Sequence, residues 1–285
     1  MVLANLKDVL TKANEEKYAV GAFNVTDLNT ARGIVAAAEE LHSPVILQFA
    51  EVHDEYISIE TVANMYLHLA KQSSVPVVVH LDHGVNFETI MKAVKLGFSS
   101  VMVDTSTLPL KENIAKVQEV VKIAHCLGLT VEGELGVMNA EDGSGRLDYN
   151  EMTDSFTNPD EAKIFVEETQ VDALAIAFGT VHGLYRGKPN LNFDRIKEIK
   201  EQVGIPLVMH GGSGLSDEEY RQSIANGINK INYYSTMAYD VTNKLRTFLQ
   251  ENEEAYLTDI DVQVQNFVKE NIMEKIEVFG SAGKA

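Results

Sequence analysis

Three histidines each stand at the carboxyl end of a short apolar run. They are His83 in VVVHLDHG, His182 in LAIAFGTVHG and His210 in PLVMHGGSG. If these runs are parallel strands of one barrel, their carboxyl ends share a rim, where residues distant in the chain can converge on one divalent metal. Three neutral imidazoles with an open coordination position are typical of catalytic zinc, and a chain with one cysteine cannot supply the thiolates of a structural site. The sequence therefore predicts a catalytic Zn²⁺ site.

A carboxylate lies directly beside the first of these histidines. Alternation along a strand would point His80 and Asp82 to one face and His83 to the other. Because Gly84 allows a tight turn at the strand end, we expect Asp82 and His83 both to face the rim. A metal ion beside a positioned carboxylate can make or break a carbon–carbon bond next to a carbonyl group.

A glycine-rich segment follows the third histidine. HGGSG (210–214) offers closely spaced backbone N–H groups and the hydroxyl of Ser213, just before a helix that starts near Ser216. The next strand-like run ends with Asn232 and Ser235, which can complete the same cradle. Barrel enzymes often bind phosphate after their last two strands, so a phosphate site is predicted here.

These residues require a scaffold of alternating strands and helices, and the chain has that pattern. Eight β-branched, nearly continuous apolar runs alternate with helices that carry a 3.6-residue apolar stripe. Several helices end at glycine, for example Gly97, Gly128 and Gly227. This order favours an α/β fold, a (β/α)8 TIM barrel in one domain over residues 1–285, with extra helices near 4–15 and 258–277 outside the barrel.

One connection is much longer than the others. Residues 136–157 are rich in Gly, Asp, Glu and Ser and have no sustained periodicity. A loop of this length is either an active-site loop or a surface insertion.

Composition restricts the partners and the location. The formal net charge of −18 argues against binding to nucleic acid or to an anionic membrane. No apolar run approaches the roughly 20 residues of a membrane span, and the amino-terminal segment carries Lys7 and Asp8 where a signal peptide would be apolar. The single cysteine, Cys126, is compatible with a reducing cytosol, so a cytoplasmic protein is expected.

Taken together, these motifs resemble the class II ketose-bisphosphate aldolases. They occur in family order over nearly the whole chain, and HLDHG followed by GTxHG and HGxSG is a highly specific combination. The matching segments are AFN (22–24), SPVIL (43–47), HLDHG (80–84), FSSVMVD (98–104), VEGELG (131–136), GTVHGLY (179–185), LVMHGGSG (207–214) and FGSAGKA (279–285).

The resemblance implies zinc-dependent, reversible aldol cleavage of a fructose- or tagatose-type ketose 1,6-bisphosphate, as in glycolysis. The products would be dihydroxyacetone phosphate and glyceraldehyde 3-phosphate. His83, His182 and His210 would bind the zinc, and Asp82 would remove the C4 hydroxyl proton. Asp104 and Glu134 match a second divalent position, or else they only orient the metal ligands. The implied substrate contacts are Asn24, Gly183, Gly211, Gly212, Ser213, Asn232, Tyr233, Tyr234 and Ser235.

Three departures from the family pattern leave the substrate open. ELGVMNAEDG is one residue shorter than ELGxxGGxED and lacks both glycines, so Glu141 is the expected mobile-loop acid that returns a proton to C3, with Asp142 as the alternative. Tyr234 occupies a position that helps to separate fructose from tagatose bisphosphates in relatives, and Phe49–Ala50 replaces a hydroxyl pair.

Two alternative functions stay open. The first alternative is a related aldolase acting on a different phosphorylated or unphosphorylated ketose, and the second is a non-catalytic sugar-phosphate sensor. By analogy with relatives, we also expect a homodimer or homotetramer and a candidate site for a monovalent cation, Na⁺ or K⁺.

Overall fold

The structure is a computed structural model that describes residues 3–136, 156–183 and 189–285. Within these ranges, strands and helices alternate along the chain. The strands are β1 Leu3–Ala4, β2 Val20–Asn24, β3 Val45–Ala50, β4 Val77–Gly84, β5 Ser100–Val103, β6 Thr130–Leu135, β7 Ala173–Ile176, β8 Leu207–Met209 and β9 Ile228–Asn232. The helices are α1 Leu6–Glu16, α2 Leu28–Glu40, α3 Ile59–Gln72, α4 Phe87–Leu96, α5 Leu110–Cys126, α6 Pro159–Thr169, α7 Phe193–Val203, α8 Asp217–Asn226, α9 Ser235–Glu251 and α10 Leu257–Phe279, with a 3₁₀ helix at Glu51–Glu55.

Strands β2 to β9 form a closed parallel barrel. Neighbours follow chain order, and the ring closes because β2 pairs with β9. Most strand positions are buried, as expected for a parallel sheet covered by helices, which explains their nearly continuous apolar character. The predicted (β/α)8 barrel is confirmed, and Gly97, Gly128 and Gly227 all have positive φ angles.

The amino terminus differs from the prediction. We expected a helix from residue 4, but Leu3 and Ala4 form β1, which pairs with Val77 and Val78 of β4. Helix α1 begins at Leu6 because Asn5 and Asp8 form a reciprocal capping box around its first turn. The helix predicted near residues 4–15 is therefore present at Leu6–Glu16, and the short strand β1 before it was not predicted.

Helix α1 covers the amino-terminal end of the barrel. Its buried face, which includes Leu6 and Leu10, packs with inward-facing Val20, Val78 and Met102 of the strands. The base of the barrel is thus apolar and closed, which leaves the carboxyl end of the strands for polar chemistry.

The long terminal helix α10 packs outside the barrel against α2 and α9, close to its predicted bounds. A side chain at Gly33 of α2 would place its Cβ 2.7 Å from the backbone oxygen of Gln265 and 2.9 Å from Cβ of Val268. The two helices can approach this closely only because position 33 is glycine.

None of the helices in the described ranges is long and apolar enough to cross a membrane.

The α2–α10 contact gives a stability prediction. Gly33→Val should lower the free energy of unfolding by about 1–3 kcal/mol, because the added side chain overpacks the crossing. Arg32→Val, at the exposed neighbouring position, is the control, since it introduces the same β-branched residue into the helix without a clash. Denaturant unfolding of both variants measures the difference, and equal stabilities would contradict the prediction.

Candidate active site

The predicted site residues surround one cavity at the carboxyl end of the barrel, with a volume of about 770 Å³. Glu141 and its alternative Asp142 lie outside the described residues. His210 sits immediately below the cavity, fully buried beside Gly211. The predicted residues that line the cavity are Asn24, Asp82, His83, Asp104, Glu134, His182, Gly183, Gly211, Gly212, Ser213, Asn232, Tyr233, Tyr234 and Ser235.

The three predicted metal ligands converge although they come from three different strand ends. One ring nitrogen from each of His83, His182 and His210 lies within 4.8 Å of the other two. The ring centroids of His83 and His210 are 4.5 Å apart, and those of His83 and His182 are 5.0 Å apart. Three imidazole nitrogens this close together can share a single metal ion.

Two carboxylates orient two of these rings. Nδ1 of His83 lies 2.8 Å from Oδ2 of Asp104, and Nε2 of His210 lies 2.9 Å from Oε1 of Glu132. The opposite nitrogens, Nε2 of His83 and Nδ1 of His210, face each other at 2.9 Å. Carboxylates that hold the outer nitrogen of a histidine in this way fix the ring for metal binding.

The third ring, that of His182, differs from the other two because one of its nitrogens has no partner among the described residues. Its Nε2 is buried and has no hydrogen-bond partner among the described residues. Burial, and next the nearby charge of His83, lower the pKa of His182 to about 3, so the ring is neutral. A neutral imidazole with an unpartnered nitrogen is suited to ligate a metal.

The backbone of β4 turns at His83 rather than at Gly84. His83 has a φ angle of +46°, and the pairing of β4 with β5 shifts between Leu81 and Gly84. Gly84 has a different role, because a Cβ there would lie 2.5 Å from the backbone oxygen of Met102 on β5. Asp82 and His83 do both face the cavity, as predicted, but the expectation that Gly84 makes the turn was wrong.

Asp82 is held by side-chain amides. Its carboxylate accepts hydrogen bonds from Asn24 at 2.9 Å, from Asn232 at 3.1 Å and from Gln48 at 3.3 Å. Burial raises its pKa, but the nearby charges, above all His83 and His210, outweigh burial and hold the pKa of Asp82 well below its usual range. The structure thus presents an ionised, oriented carboxylate beside the three imidazoles.

Asp104 and Glu134 form a second cluster with His83. Oε2 of Glu134 is 3.8 Å from Nδ1 of His83 and has no hydrogen-bond partner within the described part of the chain. Burial, and next the charge of Asp104, raise the pKa of Glu134 to about 8. The structure brings this pair together, and its binding of a second metal stays a prediction.

Below the rim lies a buried ion pair that sequence reasoning missed. Nζ of Lys230 is 2.8 Å from Oε2 of Glu132, and both side chains are fully buried. Nε2 of His80 is 3.6 Å from the same oxygen. The signal was present in the sequence, because Glu132 and Glu134 alternate on one face of β6 and Lys230 interrupts the apolar run of β9.

The phosphate side is built from the ends of β8 and β9. A Cβ at Gly211 would lie 2.4 Å from the backbone oxygen of Val181, and one at Gly212 would lie 2.8 Å from that of Asn232, so both positions need glycine. Oγ of Ser213 accepts a hydrogen bond from the backbone N–H of Tyr234 at 3.1 Å. Helix α9 starts here at Ser235, and its first turn has neither a side-chain cap nor an acidic residue.

His53 is a second residue that the sequence did not indicate. It lies in the 3₁₀ helix after β3, lines the cavity and places its ring 5.4 Å from that of Tyr234. Its Nδ1 is buried without a hydrogen-bond partner among the described residues. No motif in the sequence marks this position.

Comparison with known proteins identifies the class of enzyme. A family model described as fructose-bisphosphate aldolase class-II matches residues 4–284. Over its full length, the chain is 38% identical to a fructose-bisphosphate aldolase of Geobacillus stearothermophilus, of which it covers 99%. It is 37% identical to a probable fructose-bisphosphate aldolase of Bacillus subtilis (strain 168), each covering the other completely.

The fold agrees with these relationships. The crystal structure of the YdjI aldolase from Escherichia coli K12 matches the chain with a TM-score of 0.88 at 36% identity, and each chain is covered completely. The protein belongs to the class II fructose-bisphosphate aldolase family. It is an aldolase, a carbon–carbon lyase, of a family that is generally metal-dependent and acts on phosphorylated sugars.

The buried ion pair gives a second prediction. Lys230→Met should lower the free energy of unfolding by about 3–5 kcal/mol, because it leaves Glu132 charged and uncompensated in the barrel interior. Adding Glu132→Gln should recover part of this loss. Lys92→Met is the control, since Lys92 pairs with Glu60 at 2.7 Å on the surface and exposed pairs contribute little. Equal denaturation midpoints for the two lysine variants would contradict the role of the pair.

Proposed function

We propose that the protein catalyses metal-dependent, reversible aldol cleavage of a ketose phosphate, with dihydroxyacetone phosphate as one product. The observation that carries this proposal is the convergence of three imidazoles, two of them oriented by carboxylates, beside the ionised carboxylate of Asp82. The names of the relatives make fructose 1,6-bisphosphate the first substrate to assay, and Tyr234 is the reason to assay tagatose 1,6-bisphosphate beside it.

His83, His182 and His210 would hold the metal, and their donor set fits Zn²⁺. His182 is neutral, and metal binding would displace the extra proton that the neighbouring carboxylates favour on His83. The ordering of His83 by Asp104 and of His210 by Glu132 is the arrangement found around catalytic zinc. When bound, the metal supplies Lewis-acid stabilisation of the negative charge that develops on the ketose fragment. A second divalent ion at Asp104 and Glu134 and a monovalent cation near the phosphate stay proposals.

Asp82 would act as the base that removes the proton of the C4 hydroxyl. Its carboxylate is only 3% exposed, and amide hydrogen bonds from Asn24, Gln48 and Asn232 hold it in place. As the C4 oxygen becomes a carbonyl, the C3–C4 bond breaks and its electron pair stays on the C3 side. Glu141, or alternatively Asp142, would then return a proton to C3.

The phosphate of the dihydroxyacetone half would bind at the ends of β8 and β9. Backbone N–H groups of the Gly211–Ser213 turn and the uncapped amino end of α9 are suited to an anion. Ser213 and Ser235 add hydroxyl groups at the same place.

The cytoplasmic location and the homodimer or homotetramer also stay proposals.

Metal removal tests the proposed chemistry directly. A chelator should abolish cleavage, and Zn²⁺ should restore it, because no lysine lines the described part of the cavity to form an imine with the ketose. Borohydride with dihydroxyacetone phosphate should accordingly trap no adduct. Full activity of metal-free protein, measured with metal content in the same sample, would contradict the proposal.

Asp82 provides the fourth prediction. Asp82→Ala should reduce kcat by a factor of about 100 or more, the usual contribution of a positioned acid or base. The zinc content should equal that of the wild type, because the proposed zinc ligands are the three histidines and not Asp82. Cleavage near the wild-type rate in a zinc-loaded variant would remove Asp82 from the mechanism.

A further inference from the structure

We propose that Tyr220 of α8 is a positioning residue of the phosphate site. Its hydroxyl holds the peptide between Gly212 and Ser213 in the orientation that presents the N–H of Ser213 to an anion. This inference rests on the proposed function and adds to it a residue behind the barrel rim. Tyr220 acts through the backbone of the turn and touches neither the proposed metal nor the substrate.

Tyr220 lies near the start of α8 and is attached to the turn from behind. Only 1% of the residue is exposed, and it is not among the residues that line the cavity, whereas Gly212 and Ser213 are. Its hydroxyl donates a hydrogen bond to the backbone oxygen of Gly212. The phenol therefore contacts the turn on its buried side, where no substrate can reach.

The planarity of the peptide gives this hydrogen bond an effect on the cavity. The described ranges contain no cis peptide bond, so the C=O of Gly212 and the N–H of Ser213 point to opposite edges of one rigid plane. Because Tyr220 holds the carbonyl on the buried side, the N–H of Ser213 points away from it, towards the cavity. That N–H has no hydrogen-bond partner among the described residues, so it is available to a phosphate oxygen.

The turn needs such an anchor because its own glycines give it little stiffness. Gly211 and Gly214, on either side of this peptide, have φ angles of +63° and +91°. Glycine adopts positive and negative φ with similar ease, so a peptide plane between glycines rotates at low cost. The backbone N–H of Tyr234 donates to Oγ of Ser213 at 3.1 Å. Tyr220 and Tyr234 thus hold the turn from two sides.

The amino end of α8 does not provide a substitute for this N–H. Ser216 and Glu219 form a reciprocal capping box there, in which each side chain accepts the backbone N–H of the other residue. Asp217 and Glu218 add two further carboxylates to the first turn. Negative charge at this helix end disfavours an anion. Helix α8 therefore supports phosphate binding through Tyr220 and not through its own amino end.

Helix α10 fixes the ring of Tyr220. The rings of Tyr220 and Phe279 are in edge-to-face contact, with their centroids 5.1 Å apart. Nζ of Lys275 lies 5.6 Å from the centroid of the Tyr220 ring and 3.1 Å from Oδ1 of Asp217. These contacts restrict the ring on two sides and keep its hydroxyl directed at Gly212. The outer helix thereby supports the phosphate site although none of its residues lines the cavity.

The test removes one hydroxyl group and compares it with the same change elsewhere. Tyr220→Phe keeps the ring and loses the hydrogen bond to Gly212. Tyr66→Phe is the matched control, because Tyr66 is also fully buried and its hydroxyl donates to the backbone oxygens of Val25 at 2.7 Å and Gln48 at 2.9 Å. Both variants leave buried carbonyl groups with a lost donor, so their stabilities should fall by similar amounts in denaturant unfolding.

Only Tyr220→Phe should weaken phosphate binding. We expect it to raise the dissociation constants of inorganic phosphate and of dihydroxyacetone phosphate for the zinc-loaded protein by roughly fivefold or more, because the charge-assisted bond from Ser213 is no longer preorganised. Titration calorimetry measures both constants without turnover. In condensation with glyceraldehyde 3-phosphate, KM for dihydroxyacetone phosphate should rise by a similar factor, with a smaller effect on kcat. Tyr66→Phe should leave both dissociation constants unchanged.

A second variant changes the ring support and keeps the hydroxyl. Phe279→Leu should weaken phosphate binding in the same direction, but less than Tyr220→Phe. Equal dissociation constants for the wild type and Tyr220→Phe would overturn the inference. An equal increase in Tyr66→Phe would overturn it as well, because the effect would then follow from lost stability. Failure of the wild type to bind either phosphate compound would show that there is no anion site to position.

The proposed aldol cleavage can fail separately from this inference. If the wild type binds inorganic phosphate but condenses no aldehyde with dihydroxyacetone phosphate, the proposed function is wrong. The phosphate titrations of Tyr220→Phe and Tyr66→Phe would still decide the role of Tyr220, since they require no turnover.

Discussion

The buried carboxylate of Glu132 is the interaction on which the centre of the barrel depends. It lies between Nζ of Lys230 and Nε2 of His210, and all three side chains are fully buried. A lone ionised carboxylate would be prohibitively unfavourable there, so Glu132 requires a cation and hydrogen-bond donors in fixed positions. This requirement links β6, β8 and β9 and determines which nitrogen of His210 faces the proposed metal.

The polarity of the barrel interior changes along the barrel axis. The base, which α1 covers, is apolar and gains stability from burial, whereas the rim is crowded with carboxyl groups and imidazoles. Asp82, Asp104 and Glu134 raise the pKa of His83 to about 10 against the opposing effect of burial. Such an excess of negative charge favours a divalent cation among the histidines, so the metal would stabilise the rim as well as promote the chemistry.

The sequence allowed prediction of those features that local pattern determines. Apolar runs predicted the eight barrel strands, and residues at the carboxyl ends of those strands do line one cavity. Pairings between distant residues were not predictable, since Glu132 and Lys230 meet only after the barrel closes. The left-handed conformation of His83 was missed because it depends on packing against β5, and His53 was missed because its turn has no periodicity.

The two helix amino ends at the rim give the cavity a polarity that the metal ligands alone do not provide. The three imidazoles do not distinguish which half of a ketose carries a phosphate. The amino end of α9 has no side-chain cap and no acidic residue in its first turn, which suits an anion, whereas Glu51 accepts hydrogen bonds from the backbone just before α4. If the proposed phosphate binds at the amino end of α9, that end defines the half of the ketose that keeps the electron pair when Asp82 acts.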